Sequence, residues 1–155
     1  IGLDSEKLGT GKNLNAKGKR QEKFLKAALA NANGRPTIVT WHRPRYSSGP
    51  HGNQRDISVT TLWKIVSADP DVKLVLWGHD HDFEKKVKEV SGRKLTTMVV
   101  GSGGAEAYSC SSASCIHHKF GVLGMKLFAK KIQWEFRSTE RSGTGKVLTS
   151  GTISW

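Results

Sequence analysis

Val72-Lys73-Leu74-Val75-Leu76-Trp77-Gly78-His79-Asp80-His81-Asp82 is the stretch on which the reading of this chain turns. The apolar run over 72–77 predicts a short buried strand. It breaks at Gly78, which permits a tight turn and a close approach by another group. Two histidines follow at i and i+2, and then a dense charged segment, Glu84-Lys85-Lys86-Val87-Lys88-Glu89. Side chains set where a rigid strand gives way to a loop can be aimed at a ligand and still be reached by it.

Two other stretches repeat that arrangement. Thr37-Ile38-Val39-Thr40-Trp41 is a β-branched run followed at once by His42, and Leu95 to Val100 opens into Gly101-Ser102-Gly103-Gly104. In open α/β sheets, ligands gather beyond the carboxyl ends of the strands. Strands laid side by side would therefore bring His42, His79 and His81 together. Neutral imidazole is a good ligand for zinc, iron and similar metals, and the pattern points to a metal site.

Around these strands, the spacing of Phe24, Leu25, Ala28 and Leu29 predicts an amphipathic helix over about Lys19 to Ala32, ended by Asn33-Gly34 and Pro36. A second helix is expected over Ile57 to Ala68, ended by Asp69-Pro70. Leu8 to Lys19 reads as an exposed loop, and residues 1–5 as the end of a strand. The tail from Gly121 to Phe136 alternates as strands do, with a hairpin at Ala129-Lys130-Lys131 and a last strand over Val147 to Ser154. The expected fold class is α/β (α+β), a mixed sheet ending in an antiparallel meander. Gly-Thr-Gly-Lys at 9–12 and 143–146 fails as a phosphate loop, because Lys12 precedes Asn13 and Lys146 precedes Val147 in a strand.

A chain of 155 residues fits one domain. It contains no run of eighteen apolar residues, so no membrane-spanning helix is expected. It opens on Ile1 rather than Met, which suggests a start produced by processing, cleavage or incomplete tracing. The net charge of +12 draws the chain to phosphates and nucleic acid. The lysines are scattered, however, and lack the interleaved aromatics of a dedicated nucleic-acid groove. Cys110 and Cys115, five apart in a serine-rich loop, suit a local disulfide and thus a secreted, periplasmic or extracellular setting. Free thiols, or a metal site with His117 or His118, are the alternatives.

The chain resembles the calcineurin-like metallophosphoesterases, most closely their purple-acid-phosphatase-like branch. Carrying the resemblance are Thr40-Trp41-His42-Arg43-Pro44-Arg45-Tyr46-Ser47-Ser48-Gly49 and Leu74 to Lys85 with its Gly78-His79-Asp80-His81. Val99-Val100-Gly101-Ser102-Gly103-Gly104, Phe120-Gly121-Val122-Leu123 and Leu3-Asp4-Ser5-Glu6 extend it in the same order. The resemblance implies a four-layer α/β/β/α sandwich and a dinuclear centre of iron, zinc or manganese that hydrolyses phosphoesters. It implies that His42 and His79 bind one metal and His81 the other. It puts His51 and Tyr46 on the substrate side, with His51 binding phosphate or protonating the leaving group. Relatives often carry Tyr and Arg where this chain has Phe83 and Lys85, and Lys lacks the planar guanidinium fork.

The family's earlier motifs, Asp-x-His, Gly-Asp-x-x-Asp and Gly-Asn-His-Asp/Glu, do not occur; Gly52-Asn53-Gln54 is the nearest approach and comes after His42. Residues 1–155 therefore read as the carboxy-terminal part of one metallophosphoesterase domain. Its expected partner is an amino-terminal half that carries the carboxylate and asparagine ligands. The competing expectation is a non-catalytic basic module that binds anions, nucleic acid or a partner chain.

Overall fold

A computed structural model describes residues 1–6, 8–10, 13–52, 57–139 and 145–155. Asn53-Gln54 and parts of both Gly-Thr-Gly-Lys segments lie outside the described residues.

A small antiparallel hairpin, β1 (Gly9–Thr10) and β2 (Asn13–Leu14), leads into helix α1 (Ala16–Ala32). The helix begins ahead of the expected Lys19 because Asn15 caps it, its side chain accepting from the Gly18 N–H at 2.9 Å. Asn33 closes it in the left-handed conformation. Leu25 and Leu29 form the buried stripe, whereas Phe24, one residue and thus about 100° around the helix, is 52% exposed. The segment ahead of the helix is not wholly an exposed loop, since Leu8 is 1% exposed.

Strand β3 (Thr37–Thr40), helix α2 (Ile57–Ala68), β4 (Val72–Trp77), β5 (Phe83–Val90) and β6 (Arg93–Val100) follow. With the short β7 (Cys115–Ile116) they build a five-stranded sheet in the order β3-β4-β6-β5-β7. β3, β4 and β6 run parallel, and β5 is antiparallel to β6. Residues 1–3 extend the sheet beyond β3, with Leu3 N–H donating to Thr40 O and Gly2 bridged to Thr40. Strand β5 occupies the segment that reads as a charged run. Its lysines lie along the long pairing with β6, and only Phe83 and Glu84 are buried. Strands β8 (Gly121–Phe128), β9 (Lys131–Ser138) and β10 (Val147–Ser154) form the antiparallel meander in the order β10-β9-β8.

Two cores hold these layers. On one face of the larger sheet, Leu25, Leu29, Leu62, Trp63 and Val66 of the helices pack on Val39, Trp41, Val75, Trp77 and Val99. On the other face, Leu74, Phe83 and Met98 meet Ile132, Trp134 and Phe136, the alternate residues of β9. Phe83 stacks on Phe136 with centroids 4.3 Å apart. The mixed α+β architecture is thus helices, mixed sheet, antiparallel sheet, and the carboxyl ends of three neighbouring parallel strands share one edge.

Candidate metal centre

Trp41 and Trp77, each the residue just before a loop, are buried with ring centroids 5.7 Å apart. The loops they launch are stitched together by Gly78 N–H donating to His42 O at 2.9 Å. Asp80 N–H then donates back to Gly78 O at 2.9 Å, closing a three-residue turn with His79 at its centre. His79 has φ +68, a left-handed conformation rare for a residue with a Cβ and commoner where function demands it.

That turn delivers the imidazole of His79 to that of His42. His42 Nε2 and His79 Nδ1 are 3.1 Å apart, with the rings edge to face. Two imidazole nitrogens bound to one ion, each at about 2.0–2.1 Å, would stand about 3.0–3.4 Å from each other. The observed pair fits a shared metal. Burial, followed by the neighbouring His51, Arg43 and His42, holds the His79 pKa below the usual imidazole value, against the opposing pull of Asp80. Neutral imidazole is the form that ligates.

His81 is oriented separately. Its Nδ1 lies 2.6 Å from Glu106 O. A carbonyl only accepts, so Nδ1 carries the proton and Nε2 is left with a free lone pair, the arrangement found behind metal-bound histidines. Tyr108 stacks on the ring at 4.1 Å and 11°, and its N–H donates to His81 O at 3.2 Å.

The acids of the same segment turn inward. Asp80, Asp82 and Glu84 are each no more than 1% exposed, and they lie against the 47–51 loop, where Asp80 and Glu84 are hydrogen-bonded. Glu84 accepts from Ser48 N–H at 2.8 Å, from Ser48 Oγ at 2.7 Å, and from Lys86. Asp80 Oδ1 accepts from His51 N–H at 3.0 Å and from His51 Nδ1 at 2.8 Å. Gly49 seats against both aspartates: a Cβ there would fall 2.7 Å from Asp80 Oδ2 and 2.9 Å from Asp82 Oδ2. Neither oxygen of Asp82 has a hydrogen-bond partner among the described residues. Burial first, then Asp80 and Glu84, push its pKa up to about 7.

Of the remaining expected site residues, His51 joins the cluster, its ring 4.3 Å from that of His79 and 5.6 Å from Tyr108. Tyr46 does not: its ring packs on Trp63 at 5.2 Å and Trp77 at 6.5 Å, with Lys88 Nζ 4.1 Å above it. Cys110 and Cys115 are joined as a disulfide. Among the described residues, the place where three potential ligand atoms approach within 4.8 Å of one another is Asp82 with these two sulfurs. Oxidised sulfur is no thiolate ligand, so that cluster is not a metal site. Arg43 clamps Glu6 through two bonds of 2.7 and 2.9 Å, and its hydrogen bonds lead the causes that hold the Glu6 carboxyl below its usual range.

With this geometry in view, the sequence model of the calcineurin-like phosphoesterases matches residues 3–83, just over half the chain and the part that carries His42, His79 and His81. The chain belongs to the calcineurin-like phosphoesterase family. Among solved structures, GAP50, described as the anchor in the inner membrane complex of Plasmodium, superposes with a TM-score of 0.75 at 20% identity, covering 99% of this chain and 48% of that one. PhoD superposes with a TM-score of 0.68 at 11% identity, covering 92% of this chain and 34% of that one. At such identities the likeness is one of fold, and this chain spans half or less of each. No curated protein matches its sequence.

Four participants escaped the sequence reading. Asp80, Glu106, Tyr108 and the Arg43–Glu6 pair act through contacts across 25 to 37 residues of chain. Tyr108, the one aromatic in its polar loop, was the only visible hint.

Proposed function

We propose that this chain supplies the imidazole side of a metal-dependent phosphoesterase centre, with His42 and His79 toward one metal ion, His81 toward a second, and His51 on the substrate side. The observation that carries this reading is the 3.1 Å approach of His42 Nε2 to His79 Nδ1 at two adjacent parallel strand ends. The donor set suits iron, zinc or manganese. Bound metal would lower the pKa of a coordinated water and offset the charge of the phosphoryl oxygens. The chain's own residues hold the geometry: Glu106 O fixes the His81 tautomer, Tyr108 supports its ring, and the Trp41–Trp77 contact links the two strand ends. His51 binds phosphate or gives a proton to the leaving oxygen.

Carboxylate and asparagine ligands come, on this reading, from an amino-terminal segment of the parent protein. The disulfide supports a secreted, periplasmic or extracellular setting. The test compares the chain alone with the chain recombined with that segment, measuring metal by elemental analysis and turnover of p-nitrophenyl phosphate. The recombined protein should hold two metal equivalents and turn over, and the chain alone should do neither. A metal-loaded recombined protein inert toward phosphate monoesters and diesters overturns the proposal.

One observation favours a second reading, a non-catalytic basic module: the buried Asp80 and Glu84 bond His51 and Ser48 of the 47–51 loop, not the imidazoles of His42, His79 or His81. That module would bind DNA with an affinity that falls steeply with salt, without turnover.

A further inference from the structure

We propose that Asp80 is the positioning residue that sets His51 as proton donor to the leaving group, an inference that rests on the phosphoesterase reading above. A single oxygen, Asp80 Oδ1, accepts from both the backbone N–H of His51 at 3.0 Å and its ring Nδ1 at 2.8 Å. Backbone and ring are thereby tied to one point. The anchor does not yield: Asp80 is 0% exposed, and Gly49 lies against its other oxygen so closely that no Cβ would fit. The His51 ring is meanwhile held beside His79 at 4.3 Å, at the edge of the candidate centre.

The consequence is a choice of nitrogen. A carboxylate oxygen accepts, so Nδ1 carries its hydrogen toward Asp80, and any proton His51 passes on leaves from Nε2. This is the role of an acid that orients an imidazole without itself exchanging the proton. In the reaction, an oxygen of water bonds to phosphorus and the bond from phosphorus to the leaving oxygen breaks. The Nε2 proton goes to that oxygen to give the free alcohol, and the proton shed by the attacking water restores His51 through solvent. A loop anchor alone would also explain the two bonds, but it would not make the benefit depend on the leaving group.

Leaving-group dependence is therefore the readout, in the metal-loaded parent protein. Asp80→Asn should lower kcat for an alkyl phosphate about 10- to 100-fold, within the usual range for general-acid assistance. It should change kcat for 2,4-dinitrophenyl phosphate, whose leaving group needs no proton, by less than about 3-fold, with metal content unchanged. Combined with His51→Gln, Asp80→Asn should add no further loss. Equal losses on both esters, or additive losses in the double variant, overturn the assignment. If Asp80→Asn does not fold, nitrogen-15 NMR of the zinc-loaded native protein decides, because His51 Nδ1 must carry hydrogen, and a bare Nδ1 overturns the proposal. A loaded parent protein inert toward both esters fails the phosphoesterase reading itself, whereas turnover without the leaving-group contrast fails only Asp80.

Discussion

His42 Nε2 stands 3.1 Å from His79 Nδ1, although 37 residues separate them in the chain. Each lies one or two residues beyond a buried tryptophan where a parallel strand ends, and β3 and β4 are paired neighbours. Replacing either imidazole removes one arm of a two-armed grip. In the recombined protein, His42→Ala and His79→Ala should each lose metal at the shared position while the meander stays folded. Elemental analysis beside circular dichroism checks this; full metal retention in both variants would remove the pair from the site.

His81 depends on its stacked neighbour. Tyr108→Ala takes away the ring that lies 4.1 Å from the imidazole, while Glu106 O still accepts from Nδ1. Because the Glu106 bond remains, affinity should fall by less than the about 10- to 100-fold that losing a hydrogen-bonded supporting partner costs. The weakening should fall on one of two metal equivalents, as read by competition with a chromogenic chelator.

Asp82 makes stability depend on pH. Its pKa is raised from 3.8 to about 7 in the folded chain, chiefly by burial. The folded state thus holds the proton more tightly than the unfolded one. Its contribution is complete below pH about 4 and is lost as pH rises toward 7, on the order of 4 kcal/mol in all. Asp82→Asn should abolish that slope, so urea unfolding at pH 7 should show the variant more stable than the native chain and at pH 4 should not. Parallel pH profiles for the two proteins would count against the assignment.

The disulfide closes a small loop beside the site. Ser111 N–H donates to Ser48 O at 3.4 Å and Ser112 N–H to Ser48 Oγ at 3.3 Å, so the loop leans on the segment that carries His51. In the chain-entropy account a loop this short is worth roughly 2 kcal/mol. Cys110→Ser with Cys115→Ser should lower stability by about that amount and raise amide exchange at Tyr108 and Ser48. Unchanged exchange would show that the loop holds itself.

Gly101 is packed against backbone. A Cβ there would lie 1.9 Å from Asp80 O, with no flexible side chain able to move aside. Gly101→Ala must push the β6 end away from the His79–His81 turn, at about 1–3 kcal/mol, the usual range for overpacking. Thermal unfolding measures the loss; an unaltered midpoint would mean that the two loops part freely.

Sequence by itself determined the elements whose signal is local. β-branched runs ending at Trp41, Trp77 and Val100, the helix over Ile57–Ala68 and the alternation of Ile132, Trp134 and Phe136 all follow from periodicity, because burial on one face imposes it. The three strand ends were also legible as a set, and β3, β4 and β6 do lie parallel in that order. Strand β5 was hidden, since its Lys- and Glu-rich pattern carries little hydrophobic alternation and its pairing with β6 supplies what the side chains do not.

Only the tertiary structure decided which groups face which. The turn centred on His79 and the bends through Asp82 set where these side chains point, and no local rule says that Asp80 meets His51 or that Glu84 meets Ser48. Hydrogen bonds between distant loops arise from packing the sheet edge, and their partners have no fixed spacing in the chain. For the same reason Tyr46, read as a neighbour of the substrate, packs instead against Trp63 and Trp77.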